Sequence, residues 1–97
     1  MDSLKIAIAD LVQAIEHALH DDDPYDNELS AFYDARSKLV SAIFAKLELI
    51  FMTNNQSILT DMVDIYNSAD DSIKEDMIYD KIGIVINLLK DKYNVKL

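Results

Sequence analysis

Apolar side chains recur along most of the chain with a period close to 3.6 residues, the repeat of an α-helix. The longest regular run follows Asp23-Pro24-Tyr25-Asp26, which offers a capping carboxylate and a proline at the first helical position. Its apolar stripe consists of Leu29, Phe32, Leu39, Val40, Ile43, Leu47 and Ile50. At ~1.5 Å per residue, a helix over about residues 24–52 is a rod of roughly 43 Å, which other helices must cover.

Three further amphipathic segments predict helices that can cover this central rod. The first helix is expected over about residues 3–20, with leucine and isoleucine on one stripe. A short helix with a broad apolar face is expected over about residues 56–67. The preceding Asn54-Asn55 is expected to end the long helix, because asparagine tolerates left-handed and turn conformations. The last helix is predicted to run without a break over about residues 69–93.

The last predicted helix has two unusual features. Ser68 and Asp71 resemble a capping box in which aspartate replaces glutamate. The segment Ile82-Gly83-Ile84-Val85-Ile86 also has strand propensity, but no other segment offers a hairpin partner, so a helix is favoured. Gly83 costs ~1 kcal/mol inside a helix, which indicates a close backbone approach at that point.

Length and composition favour one all-α domain over residues 1–97. The chain has 97 residues and 51% hydrophobic residues, enough for a single core. One glycine and one proline are too few for the turns of a sandwich or barrel. We therefore predict a small antiparallel bundle of four helices. The unequal helix lengths leave open that the long helix pairs with its copy in a homodimer.

The charge is strongly negative and unevenly distributed. The net charge is −9, and residues 1–35 contribute nine acids against one lysine. An acidic surface repels nucleic-acid phosphates, so direct binding of DNA or RNA is disfavoured. The same surface attracts a basic protein. The alternative explanation is that the acids only keep the domain soluble.

Two acidic stretches that also carry tyrosines are the candidate partner-binding surface. Tyrosines ringed by carboxylates are typical of patches that bind proteins. The predicted residues are Asp21, Asp22, Asp23, Tyr25, Asp26, Glu28, Asp70, Asp71, Glu75, Asp76, Tyr79 and Asp80. We expect electrostatic steering by these acids, followed by docking of apolar or tyrosine anchors.

Signals for catalysis or metal binding are weak. Glu16, His17 and His20 share a helix face, but helical metal sites draw carboxylates from several helices. The acids of residues 70–80 resemble the acidic ladders of all-α nucleotide pyrophosphohydrolases, yet lack their paired-glutamate motif. The single glycine rules out a glycine-rich phosphate loop. We predict no catalytic, cofactor-binding or metal-binding residues.

The favoured function is therefore that of a non-enzymatic acidic module that neutralises or modulates a basic partner. Immunity proteins, antitoxins, phage-type inhibitors and nucleic-acid mimics share this profile. A structural subunit of a helical homo-oligomer is the alternative, and a metal-dependent nucleotide hydrolase is a remote one. The sequence contains no cysteine, no secretion-signal pattern and no long uncharged apolar run, so a cytoplasmic location without membrane contact is expected.

Overall fold

The computed structural model of the chain describes residues 2–21 and 30–94. Its helices are α1 (Ser3–Asp21), α2 (Ser30–Thr53), α3 (Ser57–Asn67), α4 (Asp71–Lys74) and α5 (Met77–Tyr93). The described residues contain no strand, so the all-α prediction is confirmed, including a helix rather than a strand over residues 82–86. The predicted start of the long helix near residue 24 lies outside the described residues.

Neighbouring helices run antiparallel around the bundle. Helix α3 returns along α2, and Lys46 Nζ lies 3.8 Å from Asp61 Oδ2 across that pair. Helix α5 packs along α3 on one side and along α1 on the other. Lys81 Nζ on α5 lies 3.8 Å from Asp10 Oδ2 on α1. Three of the four seams of the bundle are therefore closed.

The core combines the inner faces of all five helices. Its buried side chains are Leu4, Leu11, Leu39, Ile43, Leu47, Ile50, Ile58, Leu59, Met62, Ile73, Ile78, Ile82, Val85, Ile86 and Leu89. Four of them, one per helical turn, come from the stripe predicted for the central rod. No polar or charged side chain among the described residues is fully buried. The hydrophobic effect thus supplies most of the driving force for this packing.

The turn between α2 and α3 depends on two asparagines. Asn54 has a φ of 54°, in the left-handed region that asparagine tolerates, and its amide donates to the Ile50 carbonyl at 2.8 Å. The side-chain oxygen of Asn55 accepts a bond from the Ser57 amide at 3.1 Å, at the start of α3. The sequence-based prediction of a turn at this pair is confirmed.

The last predicted helix is divided in two, which corrects the continuous helix expected over residues 69–93. Asp76 has an extended backbone (φ −80°, ψ 142°), and its Oδ1 accepts a bond from the Ile78 amide at 2.8 Å. This carboxylate therefore caps α5 and separates it from the single turn of α4. The predicted capping box is also wrong, because Asp70 precedes α4 while the Ser68 hydroxyl donates to the Ile65 carbonyl at 2.9 Å.

Gly83 receives the tip of a tyrosine from α3. A Cβ atom at Gly83 would lie 2.6 Å from the Tyr66 hydroxyl oxygen, so any larger residue there would require the Tyr66 side chain to shift. The Tyr66 ring stacks on Tyr79, with centroids 4.1 Å apart and planes 5° from parallel. Burial, the Tyr79 hydroxyl and the nearby Asp80 carboxylate raise the pKa of Tyr66 to about 12. The close backbone approach predicted at Gly83 is wrong, because the nearest neighbouring atoms belong to the Tyr66 side chain.

Candidate protein-binding surfaces

The first predicted acidic stretch lies almost entirely outside the described residues. It comprises Asp21, Asp22, Asp23, Tyr25, Asp26 and Glu28. Asp21 is the last residue of α1, but its side chain is outside the described part of the chain. The described part of the candidate surface is therefore the second stretch, at the junction of α4 and α5.

Four acids of the second stretch are exposed, and together we name them the α4 acidic surface. It consists of Asp70, Asp71, Glu75 and Asp80. None of the four makes an ion pair with another described residue. Asp71 and Asp80 lie in first helical turns, where the helix dipole favours a negative charge. Their charge remains available to a partner.

Asp76, which the sequence predicted as a partner-binding residue, makes two contacts within the fold. Its Oδ1 caps α5, and its Oδ2 lies 3.1 Å from Nη1 of Arg36 on α2. The side chains of Arg36 and Asp76 are only 11% and 16% exposed. The Arg36 guanidinium also lies 5.3 Å from the centre of the Phe32 ring. Asp76 therefore connects α2 to the start of α5.

The tyrosines also differ from the sequence-based expectation of exposed rings beside acids. Tyr79 is half-buried, because one face of its ring stacks on Tyr66. Tyr33 is half-buried too, and its ring makes an edge-to-face contact with Phe32 at a centroid distance of 5.8 Å. Tyr25 lies outside the described residues. Tyr33 and Tyr79 thus each contribute to packing and remain partly accessible.

Among the residues that the structure describes, the fourth seam of the bundle, between α1 and α2, is open. The backbones of these two helices approach less closely than those of the other neighbouring pairs. A cavity of about 360 Å³ lies between the C-terminal half of α1 and the N-terminal half of α2. A second cavity of about 650 Å³ lies further along, between Ile8 and Phe51. Ser41 lines both cavities, so they adjoin along α2, and we refer to the two together as the groove between α1 and α2.

The groove is apolar at its base and acidic at its edges. Half-exposed apolar side chains line it, namely Ile8, Ile15, Ala18, Val40 and Phe44. Asp34 and Glu48 also line it and are exposed. A base lies at one end, where Lys92 Nζ is 5.3 Å from the centre of the Phe51 ring.

Sequence reasoning did not identify this groove, although one signal for it is present. The apolar arcs of α1 and α2 each extend beyond what a single neighbouring helix covers. On α1 the extension is Ile8, Val12 and Ile15, and on α2 it is Val40, Phe44 and Phe51. Where these uncovered apolar side chains of α1 and α2 face each other across the open seam, they form the base of a groove.

The described residues bring together no group of three or more histidine, aspartate or glutamate side chains that could hold a metal ion. Of the possible ligands Glu16, His17 and His20, His17 is exposed on α1. The His20 side chain lies outside the described part of the chain. Within residues 2–21 and 30–94, no helix combines the length and apolar character needed to cross a bilayer.

Comparison with known proteins identifies no relative: no protein-family model, no characterised protein and no solved structure matches the chain.

Proposed function

We propose that the chain is a non-enzymatic, acidic protein-binding module that acts in the cytoplasm and neutralises or modulates a basic partner. Immunity proteins, antitoxins, phage-type inhibitors and nucleic-acid mimics are the functional classes that fit. The observation that carries the proposal is the α4 acidic surface, whose carboxylates are exposed and form no ion pair with another described residue. A net charge of −9 on 97 residues adds to its potential.

The proposed mechanism has an electrostatic step followed by a docking step. Clustered charges of one sign raise the rate at which an oppositely charged partner arrives, and they disfavour partners of like charge. Exposed acids contribute mainly to this rate, because surface ion pairs add little affinity. The remaining affinity must come from apolar and aromatic contacts made after arrival.

We expect the native partner to be lost as salt is raised. The tagged full-length chain is used to recover proteins from the native cell at about 0.05 M and at about 0.5 M salt, where the screening length falls severalfold. The expected result is a basic protein that is retained at low salt and largely absent at high salt. A partner retained equally at both concentrations contradicts the proposal.

A homo-oligomeric structural role is the second candidate, and one observation favours it. Met77 and Ile84 lie two turns apart on the same side of α5 and are 61% and 54% exposed. Such a stripe is suited to a seam between two copies of the chain. Sedimentation distinguishes the two functions, because a homo-oligomeric role requires that the free chain form an oligomer. We expect Ile84→Lys to dissociate such an oligomer.

A further inference from the structure

The groove between α1 and α2 has the dimensions of a site for one additional helix. From Tyr33 to Phe51, α2 borders it for about 27 Å, the length of an 18-residue helix. At the three other seams of the bundle, the neighbouring helices pack directly against each other. A helix that lies along the groove between α1 and α2 would cover the half-exposed side chains of Ile8, Ile15 and Phe44.

The acids at the edges of the groove determine which helix fits. Asp34 and Glu48 line the groove beside its apolar base, and neither forms an ion pair with another described residue. Arg36 also lines the groove, but its Nη1 is 3.1 Å from the Asp76 carboxylate. A second copy of this chain would place acids opposite acids, which disfavours association. A helix flanked by lysine or arginine is complementary.

On this basis we infer that the groove between α1 and α2 binds an amphipathic helix of the partner, with an apolar stripe on its base and basic residues against Asp34 and Glu48. The inference rests on the proposed function and adds to it where the partner docks and what its binding element is. Helices that lay an apolar face into a groove are a recurring mode of protein recognition. The α4 acidic surface then steers the partner, and the groove holds it.

A designed peptide tests the groove with the full-length chain. The probe is a synthetic peptide of about 18 residues with leucines at helical spacing and lysines on both flanks. The first control is a peptide of the same composition whose leucines do not share a helical face. We expect the chain to bind the amphipathic peptide at least about tenfold more tightly than the scrambled one, because only the former presents an apolar stripe.

Two charge-reversal pairs locate the binding site. Asp34→Lys/Glu48→Lys changes the edge of the groove, and Asp71→Lys/Glu75→Lys makes the same change in net charge on the α4 acidic surface. All four side chains are exposed, so both variants are expected to fold, which thermal unfolding checks. We expect the groove pair to weaken peptide binding about tenfold and the matched pair no more than about twofold.

Several outcomes overturn the inference. Equal weakening by the two pairs, equal binding of the scrambled peptide, or no binding at all removes the groove as the docking site. A dimer of the free chain that Val12→Glu dissociates also overturns it, because a second copy then occupies the groove. None of these results tests the proposed steering by the α4 acidic surface. That proposal fails instead if the native partner is retained equally at low and high salt.

Discussion

Replacing Ile82 with alanine should lower the free energy of unfolding by about 3 kcal/mol, whereas Ile84→Ala should change it by less than about 0.5 kcal/mol. Ile82 is fully buried, while 54% of the Ile84 side chain is exposed. Both positions lie in α5 and undergo the same substitution, so differences in helix propensity cancel. A loss of 3 kcal/mol is a large part of the stability of a domain this small.

The comparison also distinguishes a helix from a strand in this segment. Two residues apart, the side chains point about 200° apart around a helix but to the same side of a strand. Denaturant unfolding of both variants, with the slope checked for a constant change in exposed surface, measures the difference. Similar losses for Ile82→Ala and Ile84→Ala would contradict the helix and the packing described for α5.

Asp76→Ala is the second substitution with a large expected effect, a loss of about 2–3 kcal/mol in the free energy of unfolding. It removes the acceptor of the Ile78 amide, which caps α5, and the carboxylate beside Arg36. A lost cap costs ~1 kcal/mol, and the rest comes from the ion pair, whose two side chains are mostly shielded from water. Thermal or denaturant unfolding measures the loss.

Two further variants separate the contributions at Asp76. Asp76→Asn keeps an N-cap acceptor and removes the charge, so it should cost about half as much as Asp76→Ala. Asp71→Ala changes an exposed acid at the start of α4 and should stay within about 0.5 kcal/mol of the wild type. If Asp76→Ala is as mild as Asp71→Ala, then Asp76 does not connect α2 and α5 energetically.

Local sequence rules predicted the longer helices and much of the core. The 3.6-residue rhythm correctly identified Leu39, Ile43, Leu47 and Ile50 as the inner stripe of the central helix. The stop at Asn54 followed from the tolerance of asparagine for positive φ, which is a property of the residue itself. Features that depend on a residue's own preferences or on a regular period are therefore accessible from sequence.

The break before α5 was not predictable in the same way. Asp76 lies in a run of residues that all favour a helix or tolerate one, and its apolar neighbours keep the helical period. Its extended backbone is fixed by its bond to the Ile78 amide and by Arg36, which is 40 positions away in the chain. A contact at that sequence distance leaves no local pattern.

The candidate surfaces show the same division. Exposure of Asp70, Asp71, Glu75 and Asp80 could be predicted, because charged side chains at helix starts rarely enter a core. The groove between α1 and α2 could not, because the wide apolar arcs of the two helices do not show how far apart the helices lie. The packing of Tyr79 on Tyr66 likewise requires knowing that α3 and α5 are neighbours.

The most direct test of the central claim is the association rate of the recovered native partner with two variants at low salt. Glu75→Lys and Asp91→Lys each reverse one exposed acid, just before α5 and in its last turns respectively. If the α4 acidic surface steers the partner, Glu75→Lys slows association by about threefold or more and Asp91→Lys by less than about twofold. Equal rates for the two variants would contradict the account.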